Sequence, residues 1–289
     1  MLEPLRLHTQ SCIAGPGLPA VLNEEHHLAS LKKKFHTFSR RLGSVASVFR
    51  NGDSGALSIA RHCDLDVAFR SGTSDERVIA HSFTNDIFYA AIPDYTPAPD
   101  HVILDVGAHI GTFALLSASK VPRGRVWAIE ASRDTFNFLR INAAINGLAQ
   151  LGVSHLALSD KKGKARLFHD AGGNWGHSIM AKLSSAGEDV ETETLADYMK
   201  SNAIQHIDFA KFNCEGAEFP ILIGASADIL ARIERMLVLF HCDLVAGYKL
   251  DDLIGALEAA GFSLEITGNT TKRGRIIARR TSTGTGSRH

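Results

Sequence analysis

The stretch DVGAHIGT, residues 105–112, decides the fold. It overlaps an apolar run at 101–106 that is typical of a buried strand, and it leads into a helical pattern from Thr112. Gly107 and Gly111 allow a tight turn and a close approach of backbone to ligand. Because the stretch is neither the dinucleotide fingerprint GxGxxG nor a P-loop, the start of the helix is not built for a pyrophosphate. Asp105 adds a negative charge that suits a ligand with a cationic centre.

Two further carboxylates follow the next two predicted strands. Glu130 ends the run 125–130, where a carboxylate can accept hydrogen bonds from ribose hydroxyls. Asp160 follows the run 153–158 and can meet an exocyclic adenine amine. Together with the glycine turn, these carboxylates predict a cofactor with a ribose, an adenine and a positive centre but no phosphates. S-adenosylmethionine fits that description, and S-adenosylhomocysteine would be its product.

The rest of the chain alternates short apolar runs with helical patterns. Strands are predicted at 101–106, 125–130, 153–158, 207–212 and 236–240, and a terminal hairpin at 262–267 and 275–278. A helix is predicted from Asp134 to Asn146, ended by Gly147, and another is ended by Gly261. This alternation predicts an α/β fold, with a mostly parallel sheet covered by helices on both faces.

Composition and charge exclude several classes of protein. The 289 residues contain 31 Lys+Arg and 31 Asp+Glu, so the chain lacks the basic footprint of a nucleic-acid-binding protein. No apolar run reaches the roughly 18 residues that a membrane span needs. The N-terminus lacks an apolar core of the signal-peptide kind, and the four cysteines are far apart in sequence. We therefore expect a cytoplasmic protein with reduced thiols and without a transmembrane segment.

Three segments are predicted. Residues 1–72 form a mainly helical N-terminal extension, residues 73–280 the catalytic domain and residues 281–289 a flexible tail. Apolar residues between Leu28 and Leu42 recur at helical spacing, and the opposite face carries basic side chains from Lys32 to Arg41. This helix either packs on the main domain with a solvated basic face or binds a membrane surface or a partner.

Two motifs resemble those of a known family. Residues 105–111 look like the DVGANIG motif of FkbM-type methyltransferases, and KFNCEGAE, residues 211–218, looks like that family's KIDVEGAE motif. RSGTSD, residues 70–75, is similar to a stretch often found upstream in the same family. The resemblance implies a class I methyltransferase Rossmann-like fold, with a seven-stranded sheet whose last strand is antiparallel. It also implies methyl transfer from S-adenosylmethionine, usually to a hydroxyl of a natural product or sugar.

The motifs and strand ends together give the predicted cofactor-binding residues. They are Asp105, Gly107, Ala108, His109, Gly111, Thr112, Glu130, Ala131, Ser159, Asp160 and Asn213. Three of them depart from the family pattern, because His109 replaces Asn, Ala131 replaces Pro and Asn213 replaces the Asp of KIDVEGAE. The last change removes a negative charge, although an Asn side-chain oxygen can still accept a hydrogen bond.

Two residues at strand ends are predicted to be catalytic. Glu215 follows the fourth strand and His241 the fifth, and an imidazole suits base chemistry near neutral pH. Glu215 could instead cap the following helix, and His241 could be a structural histidine. Trp175 and His177, in the polar loop 172–178, and Glu218 are predicted to contact the substrate. The loop could equally be a surface loop, and Glu218 could lie in the first helical turn. No metal-ligand spacing is present, so no metal is predicted.

The sequence leaves several functions open. We expect a methyl acceptor that is a small molecule or carbohydrate, with O-methylation favoured over N-methylation. A methyltransferase that acts on nucleic-acid bases is disfavoured because the Pro-Pro-aromatic stretch expected after the fourth strand is absent. A cofactor-binding but inactive scaffold is a further alternative, motivated by Asn213 and the basic helix. The oligomeric state is open and includes a homodimer.

Overall fold

The computed structural model of the protein describes residues 6–9, 56–170 and 176–281. Its strands, in chain order, are β1 (Arg6–Thr9), β2 (Ala56–His62), β3 (Leu65–Ser71), β4 (Val102–Val106), β5 (Arg125–Glu130), β6 (Leu151–His155), β7 (Ala157–Leu158), β8 (Gly163–Phe168), β9 (Gly187–Glu193), β10 (Phe209–Phe212), β11 (Arg235–His241), β12 (Phe262–Gly268) and β13 (Arg273–Arg280). Its α-helices are α1 (Asp75–Ile79), α2 (Thr112–Lys120), α3 (Arg133–Ile145), α4 (Leu195–Ser201), α5 (Glu218–Gly224), α6 (Ala227–Leu230) and α7 (Leu250–Ala259).

A seven-stranded sheet forms the centre of the molecule, in the order β12-β13-β11-β10-β4-β5-β6. The strands from β11 to β6 pair in parallel, and β13 is antiparallel to both of its neighbours. This arrangement confirms the predicted α/β fold, including the reversed last strand. The strand order reverses beside β4, which is where open α/β sheets bind their ligands.

Each face of the sheet is covered by helices because successive side chains of a buried strand point to opposite sides. In β4, Ile103 belongs to the hydrophobic cluster that includes Phe113 of α2 and Leu139 of α3. Leu104 belongs to the opposite cluster, with Tyr198 of α4 and Leu253 of α7. Helix α3 ends one residue before the predicted Asn146, and Gly147 follows in a left-handed conformation as its stop signal requires.

The predicted strand at 153–158 is divided in the structure. Residues Leu151–His155 form β6 of the central sheet, the chain bends at Leu156, and Ala157–Leu158 then pair with β9. Strands β7, β9 and β8 make a separate three-stranded sheet beside the carboxyl ends of the main strands. An apolar run alone does not show such a bend, because both halves of the run are buried or half-buried.

An antiparallel hairpin of β2 and β3 precedes the central sheet and packs on α3, and β1 pairs in parallel with β2. Val67 and Phe69 of β3 lie in the same cluster as Leu139. The described part of the N-terminal extension is therefore made of strands rather than helix, and it shares a core with the main domain. The predicted basic helix and the tail beyond residue 281 lie outside the described residues.

Side chains take the place of a neighbouring strand along the open edge of β3. Asn142 lies on α3 and Asn146 directly follows the helix, and they exchange hydrogen bonds with the backbone of Ala68 and Asp66 respectively. The amide of Arg70 donates to the carboxylate of Asp75 at 2.8 Å. Because unpaired backbone groups are costly to bury, these three side chains fix the hairpin against the domain.

Candidate active site

A cavity of about 370 Å³ opens at the carboxyl ends of the parallel strands. Its walls come from the glycine turn after β4, the end of β5, the segment around β7 and the loop after β10. His241 of β11 and Arg273 of β13 complete it on one side, and Val78, His81 and Phe88 on another. The volume falls in the range of about 300–1,000 Å³ that is usual for small-molecule sites.

The glycine turn contains three residues with positive φ, Gly107, His109 and Gly111, and it is closely packed. Gly107 has φ +78°, and a Cβ atom there would lie 1.9 Å from the carbonyl oxygen of Asn213, so no side chain fits between the two strand ends. His109 has φ +55°, a conformation that non-glycine residues adopt rarely and Asn, Asp and His most readily. The exchange of the family's Asn for His therefore keeps a residue that tolerates this backbone.

Glu130 links the glycine turn to the end of β5. One of its carboxylate oxygens accepts the backbone N–H of His109, and the other accepts that of Ser132, both at 2.8 Å. Burial raises the pKa of Glu130, and these hydrogen bonds oppose the shift. A carboxylate has about four lone-pair sites, so each oxygen can still accept a hydroxyl from a bound ribose.

Asp105 is fully buried and forms an ion pair with Lys211, whose Nζ lies 2.6 Å from its Oδ1. Lys211 also donates to the carbonyl of Gly107 at 3.1 Å. Burial raises the pKa of Asp105, and the nearby ammonium opposes the shift. The charge of Asp105 is thus neutralised by Lys211, and the same ammonium group holds the glycine turn through the carbonyl of Gly107.

The structure gathers most of the predicted cofactor residues around the cavity. Those that line it are Gly107, Ala108, His109, Thr112, Glu130, Ala131 and Asn213. Four others, all within the described part of the chain, lie outside the lining: Asp105, Gly111, Ser159 and Asp160. Ser159 donates to the carboxylate of Asp160, which is exposed beyond β7. Their roles toward the cofactor stay predictions.

The two predicted catalytic residues lie together at the cavity wall. Nε2 of His241 is 3.5 Å from Oε1 of Glu215, and its Nδ1 is 3.1 Å from Oε1 of Glu218. Of these two contacts, the one to Glu218 is a hydrogen bond, and a carboxylate can only accept. We therefore assign the proton of the neutral ring to Nδ1, which leaves Nε2 to accept one. Burial alone lowers the pKa of His241, but Glu218 and Glu215 outweigh it and the net pKa is raised.

Arg273 closes the same side of the site. Its Nε lies 3.0 Å from both carboxylate oxygens of Asp243, and its Nη1 lies 3.8 Å from Glu215. Burial raises the pKa of Glu215, while His241 and Arg273 oppose the shift. Glu215 itself has φ +50°, a strained backbone for a glutamate of the kind that often occurs at functional sites.

The predicted substrate residues have different fates. His177 lines the cavity, and its Nδ1 accepts the backbone N–H of Asp170 at 3.0 Å, so Nε2 carries the ring proton. Burial, together with His169, lowers the pKa of His177 to about 4. Glu218 is fully buried behind His241, as the first residue of α5. Trp175 lies outside the described residues.

Sequence reasoning missed the contribution of the segment around α1. Asp75, fully buried, forms a hydrogen-bonded ion pair with Arg70 and lies 3.7 Å from Nε2 of His109. His81, in a π-helical turn at 80–84 that continues α1, lines the cavity with Phe88. The resemblance of residues 70–75 to the family was the available signal, but it did not show which side chains face the glycine turn.

The charges around the cavity fit S-adenosylmethionine. Among the described lining residues, Lys211 and Arg273 are the lysine and arginine side chains, and each pairs with a carboxylate. Glu130, Asp170 and Glu215 face the same space. A net negative site favours a sulfonium and disfavours a pyrophosphate. Glu130 and the turn would hold the nucleoside, beside Asn213 at the end of β10.

Neither a metal site nor a membrane span is found in the described part of the chain. Within it, no three or more His, Cys, Asp and Glu side chains come together in a way that could hold a metal ion. The helices that the structure describes are all too short or too polar to cross a bilayer.

The fold and site define an S-adenosylmethionine-dependent methyltransferase, and the comparisons agree. A family model described as the methyltransferase FkbM domain matches residues 105–264. The match spans more than half of the chain, and the chain belongs to the FkbM methyltransferase family.

Individual relatives are more distant. The chain is 29% identical over 196 residues to 31-O-demethyl-FK506 methyltransferase FkbM of Streptomyces tacrolimicus. The alignment covers 57% of this chain and 74% of that protein. The chain is 27% identical over 208 residues to the AMB antimetabolite synthetase AmbE of Pseudomonas aeruginosa, covering 58% of this chain but only 10% of AmbE. Among solved structures, TYW2 of M. jannaschii in complex with AdoMet covers 80% of this chain and 89% of its own, with 12% identity and a TM-score of 0.41.

Proposed function

We propose that this methyltransferase acts on a hydroxyl oxygen of a small molecule, natural product or sugar. The observation that carries the proposal is the pairing of Glu215 and His241 in the cavity that most of the predicted cofactor residues also line. A hydroxyl is a poor nucleophile until its proton is removed, and a positioned base contributes about 10²–10⁴ in rate. The name of the Streptomyces relative, which describes an O-demethylated acceptor, supports the same reaction class.

In this proposal, His241 is the general base. S-adenosylmethionine supplies an electrophilic methyl group when it is bound. The acceptor hydroxyl gives its proton to Nε2 of His241, while the Nδ1–H group of the same ring remains hydrogen-bonded to Glu218. Glu215, 3.5 Å from Nε2, stabilises the resulting imidazolium. His177 offers an Nε2–H donor for a polar group of the acceptor, because its Nδ1 is engaged by Asp170.

A calorimetric and turnover experiment tests this function. Wild type should bind S-adenosylmethionine and S-adenosylhomocysteine and should transfer labelled methyl to members of a panel of hydroxyl acceptors. His241→Ala should lower kcat by about 10²–10⁴ without changing cofactor affinity. His206→Ala, a histidine outside the cavity lining in the described chain, serves as the matched control and should keep the wild-type rate.

The same experiment separates the alternatives. Methyl transfer to amines and not to hydroxyls would assign N-methylation, for which the base matters less if the amine arrives neutral. Tight cofactor binding with no transfer across the whole panel would favour the scaffold. A wild-type rate in His241→Ala would remove this histidine as the base.

A further inference from the structure

Glu218 is a buried residue of the motif at 211–218 that lies behind the cavity wall. It is fully buried, it begins α5, and among the described residues it is absent from the cavity lining. Its carboxylate faces the far side of the His241 ring, away from the side that meets Glu215. A carboxylate that is buried without a cation such as Lys or Arg beside it must be stabilised by hydrogen bonds.

Three donors supply those bonds. Oε1 of Glu218 accepts the backbone N–H of Cys214 at 2.7 Å and Nδ1–H of His241 at 3.1 Å. Oε2 accepts the backbone N–H of Gly216 at 2.8 Å. Both oxygens are therefore engaged, one with the loop and one with the loop and the imidazole together.

The two backbone donors flank Glu215. Glu215 and Gly216 are consecutive left-handed residues, with φ +50° and +101°. A Cβ on Gly216 would lie 2.8 Å from Val245 and 3.3 Å from Met180, so the loop has no room to relax in that direction. By accepting the backbone N–H groups of Cys214 and Gly216, on either side of Glu215, Glu218 holds the glutamate in this strained conformation.

We infer that Glu218 is a positioning residue for the methyl-transfer reaction, which acts by fixing the Nδ1–H tautomer of His241 and the left-handed loop that presents Glu215. The inference rests on the proposed function, because it assigns Glu218 a role through the proposed base. It also replaces the direct substrate contact that the sequence motif suggested for this residue.

The groups that face His241 are known from each element around it. They are Glu218 on α5, Glu215 in the loop after β10 and Arg273 on β13, with Asp243 bound to Arg273. Two carboxylates flank the ring directly, and of these Glu218 is both nearer and deeper. Removing its charge should therefore lower the pKa of His241, and the acid limb of the rate profile should move to lower pH.

Glu218→Gln tests the inference, because it keeps the volume but leaves a single acceptor oxygen for three donors. We expect kcat to fall about tenfold or more, a part of the 10²–10⁴ that a positioned base supplies. The acid limb of kcat should shift to lower pH, and the Kd of S-adenosylmethionine should change less than about twofold, since Glu218 does not line the cofactor side of the cavity.

A double-mutant cycle separates positioning from mere structure. In a His241→Ala background, Glu218→Gln should cause no further loss of kcat, because both the tautomer of His241 and the placement of Glu215 beside it act through the imidazole that is gone. The same loss in both backgrounds, or an unshifted acid limb, would overturn the inference.

Nitrogen NMR of His241 gives a readout that needs neither turnover nor a variant. In the wild-type protein without substrate, the neutral ring should carry its proton on Nδ1, and Nε2 protonation would contradict the inference. This measurement also separates the two proposals. A wild-type protein with the Nδ1–H tautomer but no methyl transfer to any acceptor would refute the proposed function while leaving the geometry of Glu218 intact.

Discussion

The carboxylate of Glu130 and the backbone N–H of His109 are joined by a hydrogen bond of 2.8 Å. This contact ties the end of β5 to the top of the glycine turn, where His109 adopts φ +55°. The residue proposed to hold the ribose therefore also holds the turn that borders the cofactor. Loop shape and ligand contact depend on the same side chain.

Glu130→Ala should weaken S-adenosylmethionine binding about 10- to 100-fold, since hydrogen bonds to a charged group are worth about 1.5–3 kcal/mol. The loss has two sources, the missing ribose contacts and the released backbone amides of His109 and Ser132. Calorimetric titration gives the affinity directly. Glu191→Ala, an exposed carboxylate on β9, is the control and should bind as wild type does. Unchanged affinity in the Glu130 variant would exclude the ribose role.

His109 can be exchanged for the residue that the family usually carries. His109→Asn should keep cofactor affinity within about twofold, because Asn tolerates the left-handed region. His109→Val should lower the free energy of unfolding by about 1–3 kcal/mol relative to the Asn variant, since a β-branched residue is strained there. Urea titrations of both variants, compared pairwise, measure the difference. Equal stability of the Asn and Val variants would contradict the observed backbone.

Asn142 connects the hairpin of β2 and β3 to the glycine turn at 105–112. It exchanges hydrogen bonds with both backbone groups of Ala68, at 2.7 and 3.0 Å, and donates to the carbonyl of Ile110 at 2.8 Å. Asn142→Ala should destabilise the protein by about 3 kcal/mol, because it leaves buried backbone groups without their hydrogen-bond partners. Chemical denaturation tests this, with Asn202→Ala, near the end of α4, as a control expected to cost about 1 kcal/mol or less. A similar small loss for Asn142→Ala would mean that the hairpin docks by other contacts.

His177 should make the protein less stable in mild acid. Its folded pKa of about 4 lies below the unfolded value of 6.5, so the unfolded chain binds the proton more readily. Stability from this residue is full above pH 6.5 and falls toward pH 4, by up to about 3 kcal/mol. His177→Gln should flatten that part of the curve of unfolding free energy against pH. An identical decline in variant and wild type would show that His177 ionises normally in the folded protein.

Much of the fold followed from local patterns, and the exceptions have physical reasons. The turn at 105–112 and the strand-end residues Glu130 and His241 were visible because a buried strand followed by glycine or a polar group is a local signal. The pairing of Asn142 with Ala68 joins residues 74 positions apart and leaves no such signal. It depends on how α3 docks on the sheet.

In the site, too, some residues have a local sequence signal and others depend on the tertiary structure. Glu215 lies in the loop before α5 and Glu218 is the first residue of that helix, and the spacing of the two acidic residues alone does not say which one faces the cavity. The left-handed backbone at Glu215 decides it, and a non-glycine residue gives no indication of that conformation in the sequence. Likewise, the ion pair of Asp105 with Lys211 requires β4 and β10 to be neighbours, which only the sheet order establishes.

A crystal structure with S-adenosylhomocysteine tests the central claim most directly. The account predicts the nucleoside in the cavity, with its ribose hydroxyls on Glu130 and its sulfur end directed toward Glu215 and His241. A nucleoside bound elsewhere, or in the cavity but without hydrogen bonds to Glu130, would contradict it.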